Sequence, residues 1–243
     1  KLKYIGPFRD TPQRNYRTSE AIYNYVGKSG EYTSNLLKQA HQNQQPLFEK
    51  VSNWFTKTMG YNIGIEEING ANLFKVKVYS ENDKRGKDLI DVGFGVSQIL
   101  PIITQLYYDK SKDDYMHRKD DFEFFVIEQP EIHLHPNAQA ELANLFVDKI
   151  QSTDKKVTLL IETHSEHLVR RLQSLVADPD NNFNREDVAI YYVDMDKEGV
   201  STVKKMEMNE SGQFEERWPS GFFDKAYELS KELMRNVSKR AAL

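Results

Sequence analysis

The sequence predicts an α/β fold: a mainly parallel sheet flanked by helices, with a β-hairpin and helical insertion ahead of it. Two observations carry this. Continuous apolar runs, "FFVI" (124–127) and "VTLLI" (157–161), alternate with helix-patterned segments. That order, with unbroken apolar strands, marks a parallel sheet covered on both faces. Upstream, "YNIGIEEI" and "LFKVKVYS" flank Asn69 and Gly70, and Asn-Gly between strand patterns is the strongest short hairpin signal.

Taken in order, residues 1–30 read as a short strand followed by polar loop, with Gly6-Pro7 and Thr11-Pro12 as breakers. Residues 31–59 read as helix, since Leu36, Leu37, Leu47, Phe48, Val51, Trp54 and Phe55 recur at helical spacing and Gly60 stops them. The hairpin occupies 61–80. A charged turn, "ENDKRGKD", leads to "LIDV" and a glycine-rich loop. An apolar helix is expected over 97–108, with Pro101 near its first turn, where a missing N–H is tolerated. A solvated segment, 109–121, precedes the first parallel strand. Then come a helix over roughly 137–151, the second parallel strand, and a helix from Ser165 to about Val176. "VAIYYVD" and "STVKKMEM" return to strands, and an amphipathic helix starting near Phe222 ends the chain.

Composition narrows the function classes. Hydrophobic content of 39% with 13 Phe and 13 Tyr supports a packed core, and 243 residues suffice for one large domain or one and a half small ones. The net charge of −4 argues against a molecule that is basic as a whole and binds nucleic acid by charge alone. With no cysteine, disulfides and thiolate metal sites are excluded. No apolar run approaches the ~20 residues of a membrane span, so the expectation is no membrane and a cytoplasmic location. The first residue is Lys1, not Met, and leads straight into what reads as the end of a strand, which suggests a piece of a longer chain.

Three stretches carry chemistry. In "DVGFGVSQ" (91–98), Gly93 and Gly95 free the backbone to approach a ligand. Ser97 would then open a helix, where exposed N–H groups and the helix dipole favour a phosphate; a plain strand–helix turn with a serine cap is the bland alternative. In "FFVIEQPEIHLHP" (124–136), a buried strand delivers Glu128 to its end, a position suited to holding magnesium (Mg2+). Gln129 can orient a water but cannot take its proton near neutral pH, whereas Glu131 is either a base or a helix N-terminal acid. In "LLIETHSEHL" (159–168), His164 follows a strand and precedes a helix, placed to touch a terminal phosphate or simply to serve structure. His133, His135, His164 and His167 near two strand ends raise a zinc or di-metal site as a rival, although their spacing fits no compact zinc motif. "VGKSG" (26–30) holds the Gly-Lys-Ser of a P-loop, but the position five before Gly27 is Ile22, so the motif fails. Asp194 and Asp196 in "YYVDMDKEG" hint at paired nuclease acids, which a strand–turn–strand with solvated acids explains better.

The order of these stretches resembles ABC-type ATPases, within the branch of P-loop NTPases that holds RecF-, SMC- and OLD-like proteins. "IEQPEIHLHP", "THSEHLVRRL" and "WPSGFFDKA" are similar to stand-alone ATPases of prokaryotic defence systems, such as the Septu ATPase subunit. The resemblance is strong over 88–170 and loose through "YIGPFRDTPQRNY" and the "WPSGFF" tail. It implies ATP and Mg2+ as cofactors and a C-terminal ATPase lobe over 93–243, preceded by a helical and hairpin part over 1–92. It implies that Gly93, Phe94, Gly95, Val96, Ser97 and Gln98 form the signature that contacts the γ-phosphate of ATP held by a second protomer, in a head-to-tail homodimer. Glu128 replaces the usual magnesium-binding Asp of the Walker B strand, and Gln129 falls where the catalytic Glu normally stands. His133, Leu134, His135 and Pro136 make the loop that crosses the dimer interface, and His164 is the switch histidine. Two departures follow: the P-loop and glutamine loop that family members carry upstream are absent from these residues, and Gln129 removes the obvious base. The expectation is a nucleotide-gated switch with slow turnover in DNA-linked defence or repair, any nuclease activity residing in a partner protein. The alternative is a hydrolysis-deficient scaffold of the same fold.

Overall fold

The computed structural model describes residues 2–108, 122–152, 156–219 and 225–241. The solvated segment expected over 109–121 and most of the "WPSGFF" stretch, including Phe222, lie outside these residues. The chain forms two compact units, Lys1–His167 and Leu168–Leu243. Among the described residues no helix is long and apolar enough to cross a membrane.

The first unit contains the sheet that positions the site. It opens with β1 (Leu2–Ile5) and a two-residue strand, β2 (Tyr16–Arg17), and then two helices, α1 (Thr33–Gln42) and α2 (Pro46–Met59). Sequence periodicity over 31–59 reads as one helix; the break falls at Gln44, whose φ of 52° is left-handed, just before Pro46 opens α2 as its first residue. Proline tolerates that position and disfavours helix in the residue before it, so the apolar stripe continues while the backbone does not. Gly60 ends α2 in the left-handed conformation, as its place after the last periodic residue predicts.

The hairpin has the expected bounds: β3 (Tyr61–Ile68) pairs antiparallel with β4 (Leu73–Ser80). The charged stretch that reads as a turn is an edge strand instead, β5 (Asp83–Asp88), paired with β4. Its last residue explains this. Asp88 is buried and accepts from Lys75 Nζ at 3.0 Å, Lys77 Nζ at 2.9 Å and Arg14 Nη1 at 3.0 Å. Burial alone would raise its pKa, but the hydrogen bonds from Lys77 and Lys75 outweigh it and hold the carboxyl below the usual range. A charge-rich strand is thereby stitched to its neighbour and fixes the start of the short 3-10 turn Leu89–Asp91.

Next comes α3 (Phe94–Tyr107), apolar nearly all round and buried from Val96 to Leu106 except at the half-buried Gln98, as befits a helix packed against α1 and α2. It begins three residues before the expected start at 97, so Pro101 sits in its second turn, inside the helix, with no N–H to give the Ser97 carbonyl. Then β6 (Glu123–Glu128), α4 (Pro136–Gln151), β7 (Val157–Glu162) and α5 (Glu166–Val176) follow in the predicted alternation. β1, β6 and β7 form a parallel sheet in the order β1-β6-β7, with Ile5 beside Ile127 and Glu128 beside Glu162. Phe125 and Ile127 are fully buried on one face, while α4 packs on β7 and α3 on α4. The α/β class with a parallel sheet flanked by helices is therefore as predicted.

In the second unit, β8 (Ile190–Met195) and β9 (Ser201–Met206) make an antiparallel hairpin, followed by α6 (Lys225–Ala241). Gln173 Nε2 donates to the Gly212 carbonyl at 2.7 Å, tying α5 to the loop after the hairpin.

Candidate functional site

Parallel strands that end together place their following loops side by side, and ligand sites of open α/β sheets lie at that carboxyl end. Here the end of β6 runs into 129–135, the end of β7 into 163–165, and the end of β1 into 6–15.

Glu128 is the last residue of β6, partly exposed, and its Oε1 accepts from the Tyr4 hydroxyl at 3.0 Å. Tyr4 and Val126 are register partners, so Tyr4 lies on the sheet face that Glu128 also shares. That hydrogen bond is the chief reason the Tyr4 pKa is raised, with burial second, so the phenol stays a donor at neutral pH. Glu162 stands beside Glu128 in the β6–β7 register, on the same face. One or two carboxylates at a strand end, completed by phosphate oxygens and waters, is the usual donor set for magnesium. These residues fit that ion. Among the described residues no group of three or more His, Asp or Glu gathers to hold a metal by itself, and the four histidines of the zinc rival do not converge.

Gln129 leaves the strand with φ of 46°, a left-handed conformation that costs a non-glycine residue about 1–2 kcal/mol. Its N–H donates to the Glu162 carbonyl at 2.8 Å. Its own carbonyl accepts from Arg9 Nη1 at 3.3 Å, while Arg9 Nη2 donates to the Glu128 carbonyl at 2.6 Å. Charge-assisted hydrogen bonds of this kind contribute about 1.5–3 kcal/mol each, enough to offset the strain. Arg9 is 8% exposed. Burial lowers its pKa, and the carboxylates of Glu131 and Glu128 oppose that shift.

Glu131 is 9% exposed; its Oε1 accepts the His164 N–H at 2.6 Å, and its Oε2 is buried with no hydrogen-bond partner among the described residues. A single carboxylate therefore ties the loop after β6 to the loop after β7. His164 itself is exposed. His133 is also exposed and left-handed, with φ of 61°. Leu134 is buried, and His135 caps α4, its Nδ1 accepting from the Asn137 N–H, with Pro136 as first helical residue. Gln139 reaches back to the Leu134 carbonyl at 2.9 Å and accepts from Ser165 Oγ at 2.7 Å, a second link between the two loops.

The start of α3 reaches this same edge. A Cβ on Gly95 would come within 2.6 Å of the His133 carbonyl oxygen, so only glycine lets the helix approach the loop so closely. Phe94 is 61% exposed and tilts toward the His133 ring, centroids 5.8 Å apart. Gly93 precedes the helix with open space where a Cβ would lie. Val96 and Ser97 are buried and Gln98 half-buried. Ser97 does not cap the helix as its sequence context predicts: it is the fourth helical residue, and its hydroxyl donates back to the Phe94 carbonyl at 2.9 Å. Residues 93–98, the 129–136 loop and His164 are thus joined along one edge, with Gly95 against His133 and Glu131 against His164.

Residues of two other stretches serve local structure. In the "VGKSG" loop, Glu31 Oε2 accepts from both the N–H and the hydroxyl of Ser29, so a carboxylate of the chain itself sits where a phosphate would have to be. In the β8–β9 hairpin, Asp196 accepts from the N–H groups of Glu198 and Val200, and Asp194 from that of Met195, which is turn chemistry. The sequence attaches no role to Tyr4, Arg9 or Glu162, although the first two lie in "YIGPFRD" and the third in "LLIETHSEHL".

Residues 15–169 match the family described as AAA ATPase domain, and residues 183–233 match a family described as a protein of unknown function (DUF3696). No curated protein matches the chain. Among solved structures, one from work on ATP-driven dimerization and DNA-stimulated activation of SMC ATPases aligns at 14% identity and a TM-score of 0.47, covering 82% of this chain and 97% of that one. An Smc head domain with an extended coiled coil from Pyrococcus furiosus, bound to the C-terminal domain of ScpA, aligns at 13% identity and 0.45, covering 84% of this chain and 42% of that one. An Smc head domain with a coiled coil and joint from Pyrococcus yayanosii aligns at 13% identity and 0.44, over 74% and 31% of the two chains.

Proposed function

Because this chain belongs to the AAA ATPase domain family, we propose that the edge described above is the part of an ATPase that senses and turns over a nucleotide held between two protomers. The single observation that carries this reading is the junction of three loops, with Gly95 packed on the His133 carbonyl and Glu131 bonded to the His164 N–H. These contacts give a change at one loop a direct physical route to the others, which is what coupling of nucleotide state to association demands.

In this reading Glu128, steadied by Tyr4, holds magnesium, which supplies neutralisation of phosphate charge when bound. Within residues 93–98, the exposed Gly93 and Phe94 face the terminal phosphate of ATP on a second copy, while the buried Val96 and Ser97 hold that turn in place, and the 133–136 loop lines the contact between copies. His164 lies beside the reacting end. Gln129 positions a water through its amide but offers no base, so turnover is slow and the ATP-bound pair is long-lived. The setting proposed is DNA-linked defence or repair, with any nuclease supplied by a partner. Gln129 also favours a second reading, a regulatory module of the same fold that binds nucleotide and does not hydrolyse it.

Steady-state phosphate release by the full-length protein tests both. Magnesium-dependent release that disappears in Glu128→Ala supports the ATPase. No release from wild type, with nucleotide binding intact, supports the regulatory module.

A further inference from the structure

We infer that Arg9 is a positioning residue for the 128–129 turn: its buried guanidinium sets the backbone from which Glu128 and Gln129 act. The functional part of this inference rests on the ATPase reading above; the structural part does not.

In an extended strand, successive peptide planes face opposite sides. Two consecutive carbonyls can share one donor fork only if the backbone turns between them. That is the arrangement here. Arg9 Nη2 meets the Glu128 carbonyl at 2.6 Å and Nη1 the Gln129 carbonyl at 3.3 Å, and between them Gln129 is left-handed. A third contact, from Nη1 to the Pro7 carbonyl at 2.9 Å, fixes the guanidinium to its own loop. The Gln129 N–H is held from the other side by the Glu162 carbonyl at 2.8 Å. Both sides of the Gln129 peptide are therefore pinned, one by β7 and one by Arg9, and the direction in which its side chain leaves the backbone follows.

A lysine at position 9 would keep the charge but lacks the planar fork that serves two carbonyls at once. Arg9 Nε is buried without a hydrogen-bond partner among the described residues, so the side chain is used for its terminal fork and its charge. Burial works against that charge, and the carboxylates of Glu131 and Glu128 favour it. Removing the guanidinium would free the turn.

Two measurements on the full-length protein test this with Arg9→Met, Arg9→Lys, Gln129→Gly and the double variant Arg9→Met/Gln129→Gly. Amide hydrogen exchange needs no activity: loss of the clamp should speed exchange across 129–134 by about tenfold to a hundredfold in both Arg9 variants, with β7 unchanged. Glycine adopts the left-handed backbone without strain, so Gln129→Gly alone should not show this. Unchanged exchange at 129–134 in Arg9→Lys, the variant most certain to fold, overturns the clamp whatever the enzyme does. In steady-state kinetics, Arg9→Met should lower kcat by about 10²-fold, the usual cost of an ångström of misplacement, with KM for Mg-ATP within about twofold. The double variant should be no slower than the slower single variant, because both changes act through the same side chain. Multiplicative losses, or an effect on KM alone, would show that Arg9 does not work through Gln129. A protein without phosphate release that still shows the exchange change would retain the clamp and defeat only the ATPase reading.

Discussion

Gln129 and Glu131 compete for the role that a catalytic base would have, and their surroundings separate them. Glu131 is buried, with one oxygen committed to the His164 N–H, so its carboxylate is already a structural tie. Gln129 sits at the strand end beside Glu128, half-buried, and among the described residues its hydrogen bonds are made by its backbone. Base assistance is worth about 10²–10⁴-fold in rate. Gln129→Glu should therefore raise phosphate release of the full-length protein by at least about tenfold at saturating magnesium, which offsets repulsion from Glu128. Glu131→Gln keeps an oxygen for the His164 N–H and should cost less than about tenfold. A slower Gln129→Glu together with an inactive Glu131→Gln would assign the base to Glu131. At this scale the sequence was legible where position followed from neighbours in the chain: an apolar run that gives way to acids places Glu128 at the end of its strand. Tyr4 and Arg9 were illegible because their partners lie 124 and 119 positions away. Period tells which face a residue takes, not which strand stands next to it.

Elements were legible where one rule governed them and misread where two competed. The hairpin over 61–80 came out with its predicted ends because turn chemistry and strand alternation agree. Over 83–88 charge argued for a turn, and the ion pairs of Asp88 with Lys75 and Lys77 made a strand. At 94 the glycines argued against helix, yet α3 begins there, and Gly95 stands in its first turn because the gap to the His133 carbonyl admits nothing larger. The two glycines of the loop should consequently respond in opposite ways. On propensity alone, Gly→Ala within a helix stabilises by about 1 kcal/mol. At Gly95 the new Cβ would lie 2.6 Å from a backbone oxygen, and overpacking against such a neighbour costs about 1–3 kcal/mol. Overpacking wins. Gly95→Ala should lower the thermal midpoint, whereas Gly93→Ser, with open space around its Cβ and a favoured capping residue in place, should leave it unchanged or higher. Scanning calorimetry of the two variants beside wild type checks the sign of each; a stabilised Gly95→Ala would mean the 129–136 loop yields, and is not held against α3.

At the scale of the whole molecule, the proposed switch requires a second copy to meet the edge formed by α3 and the 133–136 loop. The obvious probe, a bulky charge at Ser97, would mislead. Ser97 is buried in α3, and an arginine there would bury a charge in the core and confuse misfolding with lost association. Phe94 serves better. It is exposed, it lies in the first turn of the helix, and an acid in that position suits the helix dipole, so Phe94→Glu should fold with its thermal midpoint intact. The cost in the monomer is one tilted ring contact with His133. In an ATP-bound pair the same carboxylate would face the terminal phosphate of the other copy's nucleotide, and like-charge juxtaposition across an interface costs several kcal/mol. Sedimentation velocity of the full-length protein, with and without Mg-ATP, should then show ATP-dependent association in wild type and at least about tenfold weaker association in Phe94→Glu. If Phe94→Glu associates as wild type does, this edge does not face the nucleotide of a second copy, and the contact between protomers has to be sought on another surface.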